Sequence, residues 1–328
     1  MIFRPKRSRL LGKDSESNSC VKGRGFHKRG EKIMKFTKMH GCSNDYIYVN
    51  CFEETVADMG VFAKAFSDRH RGIGSDGAIF ICPSDEADCE MKMYNADGTY
   101  SEMCGNGIRC VAKYIYDNGI VDKKEINILS GGQIKKIRVE VGDERVSDVT
   151  GKSFSKRKDG LAVNKVCVDM GEPILEPYRI PVMLSDAGES VIAHDLYVGD
   201  ANYKATCVSM GNPHCVIKVQ EVNKIPIEEL GPKFENHVCF PNRINTEFVQ
   251  IIDRGNVRMR VWERGAGETL ACGTGACASV VACVLNGETD EKVTVHLLGG
   301  DLEVFWDRAG DNHVYMTGGA VTVFEGEV

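Results

Sequence analysis

Two stretches, Met103-Cys104-Gly105-Asn106-Gly107 and Ala271-Cys272-Gly273-Thr274-Gly275, are each followed by an apolar run of helical period, and the second carries the numbering of the first raised by 168. The same offset recurs without a gap. Asn44, which opens the NDYIYV run, corresponds in this way to Asn212 of NPHCVIKV, Gly77 to Asn245, and Asn95 to Glu263. Matches in one register imply two homologous halves, each a strand, loop, strand and Cys-Gly-x-Gly-helix unit, related by a pseudo-twofold axis. Two copies are too few for a solenoid. Cysteines at equivalent places in such a pair are expected to face each other across the interface.

Each thiol stands at the head of a helix. The unpaired amides of a first turn and the positive end of the helix dipole are expected to lower a cysteine pKa and to hold a carboxylate, with the flanking glycines allowing close approach. A site with two thiols and two anion-binding helix ends suits a reaction that needs a base on one face of a carbon and an acid on the other. Inversion of an amino-acid α-carbon is such a reaction. Carbanion charge developing beside the bound carboxylate would be stabilised by the same amides.

Around these motifs short β-like runs outnumber helices. Gly77 to Cys82, Cys89 to Asn95, Glu125 to Leu129, Ile134 to Val141, Tyr203 to Ser209, Thr246 to Ile252 and Val257 to Glu263 read as strands between turn residues, and a further β-like run opens at Met34. Asp58 to Arg69, Asn106 to Asp117, Ile227 to Asn236 and Gly275 to Leu285 read as helices. Strands joined by short turns with isolated helices predict an α+β protein with largely antiparallel sheets, not a nucleotide-binding βαβ series.

The 328 residues, 42% hydrophobic and 27% charged, suffice for one large or two medium domains and exclude disordered and fibrous classes. Fourteen cysteines, about 4%, are far fewer than a disulfide scaffold carries, so a reduced, cytoplasmic setting is expected. No apolar run is long enough to span a bilayer. The net charge of −6 hides an asymmetry: residues 1–33 hold ten Lys/Arg against three acids, and the rest carries −13. That basic head is expected to be disordered; an upstream start codon or a cloning remnant explains it better than a nucleic-acid arm or a transit peptide. The acidic body argues against nucleic acid as partner. The polar stretch from Ser147 to Asp159 reads as a surface loop or insertion.

From Met34 onward the chain resembles the diaminopimelate epimerase family. The resemblance is carried by KMHGCSND (Lys38 to Asp45), RHRGIGSDG (Arg69 to Gly77), YNADGTYSEMCGNGIRC (Tyr94 to Cys110), MGNPHC (Met210 to Cys215), FPNRIN (Phe240 to Asn245) and ERGAGETLACGTGAC (Glu263 to Cys277), in that order. It implies two pseudo-symmetric α/β domains, each a mainly antiparallel sheet around a central helix, with the active site between them. The halves would be 34–168 plus 317–328, and 169–316, the C-terminal strand returning to the first.

It also implies a cofactor-independent and metal-free isomerase of lysine biosynthesis acting on a small molecule, diaminopimelate; a homodimer is left open. Cys104 and Cys272 would be the acid/base pair, and the amides of Gly105, Asn106, Gly273 and Thr274 would grip the reacting carboxylate. Asn44, Asn95, Asn212, Asn245 and Arg264 would contact the substrate, Glu263 would accept from an ammonium group, and His214 would orient the site. Arg109, inside the first helix, is expected to make a salt bridge or a carbonyl contact. Cys42-Ser43 and Gly77 depart from the commonest family pattern, the latter removing one substrate contact. Two other readings stay open: a histidine- or proline-type racemase with the same machinery, and a non-enzymatic protein in which Cys104 and Cys272 form a redox disulfide.

Overall fold

The computed structural model describes residues 33–101, 104–143, 153–184 and 188–328. The chain divides into two units, Met1–Ile33 and Met34–Val328, of which the second is described below. The expectations placed on the basic head, and on positions 147–152 of the polar stretch, lie outside the described residues.

The first half begins with a hairpin of β1 (Lys35–Gly41) and β2 (Asn44–Asn50). Its two-residue turn, Cys42-Ser43, has φ of 52° and 63°, the left-handed pair that matches the twist of a hairpin. Helix α1 (Met59–Phe66) follows, its first turn capped by Asp58, whose Oδ1 accepts from the Val61 amide at 2.9 Å. Strand β3 (Gly77–Cys82) is buried along its whole length, which explains why GAIFIC shows no alternation: it pairs parallel to β2 on one side and antiparallel to β4 (Cys89–Asn95) on the other. The two-residue β5 (Tyr100–Ser101) leads into α2 (Gly105–Asp117), and β6 (Glu125–Ser130), β7 (Gln133–Asp143) and β8 (Leu161–Asp169) complete the half.

The second half repeats the plan: β9 (His194–Val198), β10 (Ala201–Ser209), β11 (Pro213–Lys218), α3 (Ile227–Glu235), β12 (Asn245–Asp253), β13 (Asn256–Glu263), β14 (Gly267–Thr269), α4 (Gly273–Leu285), β15 (Lys292–Leu297), β16 (Gly300–Trp306) and β17 (Val314–Gly318). In β2–β4 and β11–β13 the repeat holds position by position, while β10 runs one residue out of step with β1. Tyr46 pairs with Gly77 across the parallel β2–β3 ladder, and His214 pairs with Asn245 across β11–β12, which is the same pair shifted by the repeat. Ala78 faces Tyr94 in the next ladder, and Thr246 faces Trp262. The last strand, β18 (Val321–Glu327), pairs antiparallel with β1, and β17 joins β8 to β16, so one continuous sheet runs through both halves.

Each half wraps its sheet around one helix. Helix α2 packs against β1, β2, β6, β7 and β8; α4 packs against β10, β11, β12, β15, β16 and β17. Both are thirteen residues long and buried on nearly every side. A surface helix needs only one apolar stripe, whereas a helix enclosed by strands must be apolar all round or pair its polar groups internally. The two copies solve this differently. In α4 the sequence GTGACASVVACVL is nearly all small and apolar. In α2 the polar residues Arg109, Lys113 and Asp117 fall four apart on one stripe; Lys113 Nζ lies 2.6 Å from Asp117 Oδ2 and donates to the Val163 carbonyl, while Asp117 Oδ1 accepts from the Val163 amide. The C-termini match: Asn118 and Asn286 close the helices by bonding back to the carbonyls of Tyr114 and Ala282, and each is followed by a glycine with φ of 70° or 71°.

The α+β class and the four helices agree with the sequence expectation, helix bounds shifting by no more than three residues. The short strands β5 and β14 escape a reading by period because two or three residues cannot show one. The mostly exposed edge strand β18 is implied by the resemblance alone, since its residues alternate poorly.

Candidate active site

The heads of α2 and α4 meet. A β-carbon placed on Gly105 would sit 3.9 Å from Gly273 Cα, and one on Gly273 3.8 Å from Gly105 Cα, with the Met316 side chain already within 3.3 Å of both positions. A side chain at either glycine would reach the opposing helix at van der Waals distance and press on Met316. The cysteines are the N-cap residues, both in extended conformation. They open onto one cavity of ≈ 1090 Å³, just above the usual range for small-molecule sites (about 300–1,000 Å³), whose wall includes Asn44, Asn95, Cys104, Gly105, Asn106 and Asn212. Glu263, Arg264, Cys272, Gly273 and Thr274 complete the set of expected residues that reach it.

One expected contact, Asn245, lies elsewhere, and His214, expected to orient the site, sits behind it. Asn245 is buried; its Nδ2 donates to the Pro213 carbonyl at 2.8 Å and its Oδ1 accepts from the Arg264 amide at 2.9 Å, so its side chain holds the Arg264 backbone in place and does not line the cavity. His214 is fully buried behind Asn212, with Nδ1 2.7 Å from Glu247 Oε1 and Nε2 3.0 Å from Asn212 Oδ1. Asn212 is thus oriented from below. Its counterpart Asn44 is oriented by Asp76, whose Oδ2 accepts from Nδ2 at 2.8 Å, leaving Oδ1 to accept from Cys104 Sγ at 3.3 Å. Asn106 Nδ2 reaches across to the Ala271 carbonyl at 3.4 Å, tying the first helix to the turn before the second.

The two thiols have unlike surroundings. Cys104 Sγ accepts from the Gly107 amide at 3.2 Å and is bonded by the Tyr46 hydroxyl, and the Arg109 guanidinium adds positive potential. Cys272 Sγ lies 3.5 Å from Thr274 Oγ1 and is near Glu263 and Glu247, both of which disfavour its thiolate. The expectation that helix termini lower both pKa values is overturned. Burial raises the Cys104 thiol above its ordinary value despite the amides, and burial together with the two glutamates holds Cys272 well above it. Desolvation of the charged form outweighs the dipole, more strongly at the buried Cys272 than at the half-buried Cys104.

Arg109 is the carbonyl-contact case. Fully buried, it donates from Nη1 to Gly105 O (3.0 Å), from Nη2 to Asn106 Oδ1 (2.9 Å) and from Nε to Gly319 O (3.3 Å), with Cys42 Sγ 3.5 Å from Nη2. Among the described residues no carboxylate comes within ion-pair distance of it. The guanidinium fork therefore fixes the first turn of α2 and lends its charge to the cavity floor. Arg109→Lys cannot reach these separated acceptors, and an expected 10- to 100-fold loss of kcat/KM, about 1.4–2.7 kcal/mol, would be read in steady-state assays with circular dichroism reporting the fold. An unchanged kcat/KM in the lysine variant contradicts this role.

Several cavity residues had no expected role. Tyr46 is the counterpart of His214 in the repeat, so the internal comparison already pairs them. Glu247, fully buried behind the cavity against His214, follows Asn245 and Thr246 in the polar start of β12, where no local signal marks it. Arg69 and Asp76 lie within the quoted RHRGIGSDG motif and form an ion pair at 2.8 Å on the cavity rim. The tip of the β6–β7 hairpin, Ser130, Gly131 and Gln133, also lines the cavity. The expected loss of a contact at Gly77 has a steric basis: a β-carbon there would fall 2.1 Å from the Tyr94 carbonyl oxygen.

Duplicated halves, each presenting a cysteine from a buried helix to a shared cavity, place the chain in a class of pseudo-symmetric two-half folds. A solved hydroxyproline epimerase from Agrobacterium vitis shares this fold, with a TM-score of 0.62 at 14% identity over 92% of this chain and 94% of that one. Within the class, the diaminopimelate epimerase pattern matches residues 36–154 and 206–323, one block in each half. Diaminopimelate epimerases from Acetivibrio thermocellus and Agathobacter rectalis are 54% and 52% identical to this chain, each over 90% of it and 98% and 99% of their own length. The chain belongs to the diaminopimelate epimerase family.

Proposed function

We propose that this protein interconverts LL- and meso-diaminopimelate by proton transfer between two cysteines, without a resident cofactor, in the cytoplasmic supply of lysine and cell-wall precursors. The observation that carries the reading is the meeting of two cysteine-capped helix termini on one cavity. The substrate α-carboxylate would lie between the first-turn amides of α2 and α4, which also stabilise the enediolate-like charge that forms as the α-proton leaves. One thiolate takes that proton, the opposite thiol delivers its own to the other face, and the protonation states of the pair are exchanged. Cys104, bonded by an amide and a tyrosine hydroxyl, is the better thiolate; Cys272, beside two glutamates, is the better thiol. Glu263 would receive the α-ammonium, and Asn44, Asn95, Asn212 and Arg264 the distal amino-acid head. Asn245 and His214 would support Arg264 and Asn212 from behind. The division into halves at 168/169, with 317–328 returning to the first, is part of this reading.

Exchange of the α-proton in D2O, followed by NMR for LL-diaminopimelate, histidine and proline separately, tests substrate and reaction together. Exchange is expected with diaminopimelate; faster exchange with histidine at equal concentration would transfer the assignment to a histidine racemase, and no exchange under reducing conditions would remove the enzyme reading. The pH dependence supplies a second test. Because both thiols are raised in the free protein, the reactive thiolate form gains population as pH rises. kcat/KM, which reports the free enzyme, is expected to climb from pH 7 to pH 9. A flat profile over that interval contradicts the direction of the Cys104 shift.

A further inference from the structure

Among the buried positions at which the two halves differ, one lies beside a hole. Tyr114 of α2 is buried, and its hydroxyl is hydrogen-bonded to the side chains of Thr37 and Asn50. The matching residue of α4 is Ala282; the carbonyls of both accept from the asparagine that closes their helix. Where the phenol of Tyr114 sits in the first half, the second half has a cavity of ≈ 170 Å³ lined by Ala282, Val216, Val249, Ile251, Thr206 and Lys218.

Two polar members of that lining, Thr206 and Lys218, are the counterparts of the groups that bind the Tyr114 hydroxyl; Lys204, Asn286 and Glu288 complete its polar side. Thr37 pairs with Tyr48 across β1–β2, and Thr206 pairs with Val216, the repeat partner of Tyr48, across β10–β11. Asn50 pairs with Ile81 across β2–β3, and their repeat partners Lys218 and Val249 pair across β11–β12. The hole is therefore a phenol-sized recess with an aliphatic wall and a polar end, where Lys218 pairs with Glu288 and Thr206 Oγ1 accepts from the Ala193 amide and Asn286 Nδ2, which leaves the Thr206 hydroxyl proton to donate to a phenol oxygen. A closed aliphatic cavity of about 150 Å³ in another protein takes up benzene, so the volume is sufficient for one ring.

We propose that this recess is a binding site for a small monocyclic phenol, separate from the two-cysteine cavity. It lies beside the C-terminal turns of α4, roughly 15 Å along the helix from Cys272 at 1.5 Å per residue. The proposal does not depend on the identity of the epimerisation substrate.

Binding of 4-fluorophenol and fluorobenzene to the full chain, followed through the methyl signals of Val216, Val249 and Ile251, provides the test. 4-Fluorophenol is expected to shift those signals with a Kd on the order of 1 mM, as suits so few atoms. It should bind about three- to tenfold more tightly than fluorobenzene, because only the phenol meets the polar end. Ala282→Tyr should weaken 4-fluorophenol binding by at least about tenfold and raise Tm by about 2 °C or more as it fills the hole. Ala282→Leu, a smaller filling on a good helix former, repeats the binding test if the tyrosine variant does not fold. The proposal is overturned if 4-fluorophenol at about 10 mM leaves the three residues' methyl signals unmoved. Equal binding by a folded filled variant, or equal affinity for the two probes, overturns it as well.

Discussion

Alanine at Cys104 or at Cys272 should stop inversion, each lowering kcat by at least about 10³-fold, which corresponds to about 4 kcal/mol of transition-state stabilisation. The loss is expected to differ in kind from that of a damaged site. Each variant keeps a thiol on one face of the substrate carbon, so it can still remove and return a proton on that face. In D2O, Cys104→Ala should exchange the α-proton of one diaminopimelate epimer slowly without inverting it, and Cys272→Ala should do the same with the other epimer. Polarimetry or chiral chromatography reads inversion, and NMR reads exchange. If either variant inverts at more than about a tenth of the parent rate, the two-thiol mechanism is wrong. If both exchange the same epimer, the thiols do not address opposite faces.

The second large effect is alkaline unfolding. Burial pushes the Cys110 thiol up to about 11 and those of Cys89, Cys277 and Cys283 up to about 12. In the unfolded chain a thiol titrates near 8.5. Above that pH the unfolded state releases protons that the folded state retains, so the unfolded state binds fewer protons and stability falls as pH rises. The fall begins near pH 8.5 and continues until the folded-state values near 11–12 are reached. At pH 10 each thiol accounts for about 2 kcal/mol, or about 8 kcal/mol for the four, which is comparable with the whole stability of an ordinary domain. Cooperative loss of far-ultraviolet circular dichroism is expected near pH 10 under reducing conditions. Cys277→Ala should move the midpoint upward while costing some stability at pH 7, because one titrating group is removed together with its packing. A denaturation midpoint that stays constant from pH 8 to pH 10.5 would show that these thiols are not held in the way their burial implies.

Much of this arrangement is legible in the residues because the repeat acts as an internal standard. Its constant offset places Asn44 with Asn212 and Cys104 with Cys272 before any strand is drawn, and the ladders Tyr46–Gly77 and His214–Asn245 keep that offset. Helix bounds were readable where a capping residue or a terminal glycine marks them, as at Asp58 and at Gly119 and Gly287. What the offset does not carry is side-chain direction. Asn245 follows the repeat yet turns its amide onto the Pro213 carbonyl and the Arg264 backbone. His214 is close to Asn212 in the chain but is buried behind it, because Asn212 lies in the turn before β11 while His214 is inside the strand, held between Glu247 and the Asn212 amide.

The pairing of two cysteine-bearing helices, the α+β class and the family are properties of the sequence alone, because they rest on spacing and residue type. The protonation balance of the two cysteines was decided only by the tertiary structure. Spacing shows a thiol at a helix head and argues for a lowered pKa; the fold closes the sheet around that helix, withdraws the sulfur from water and sets Glu247 and Glu263 beside one copy. Desolvation depends on everything packed around an atom, and no local stretch of sequence encodes it. The same holds for the empty recess beside Ala282, which becomes visible only when the second half is laid on the first and the phenol of Tyr114 has no partner.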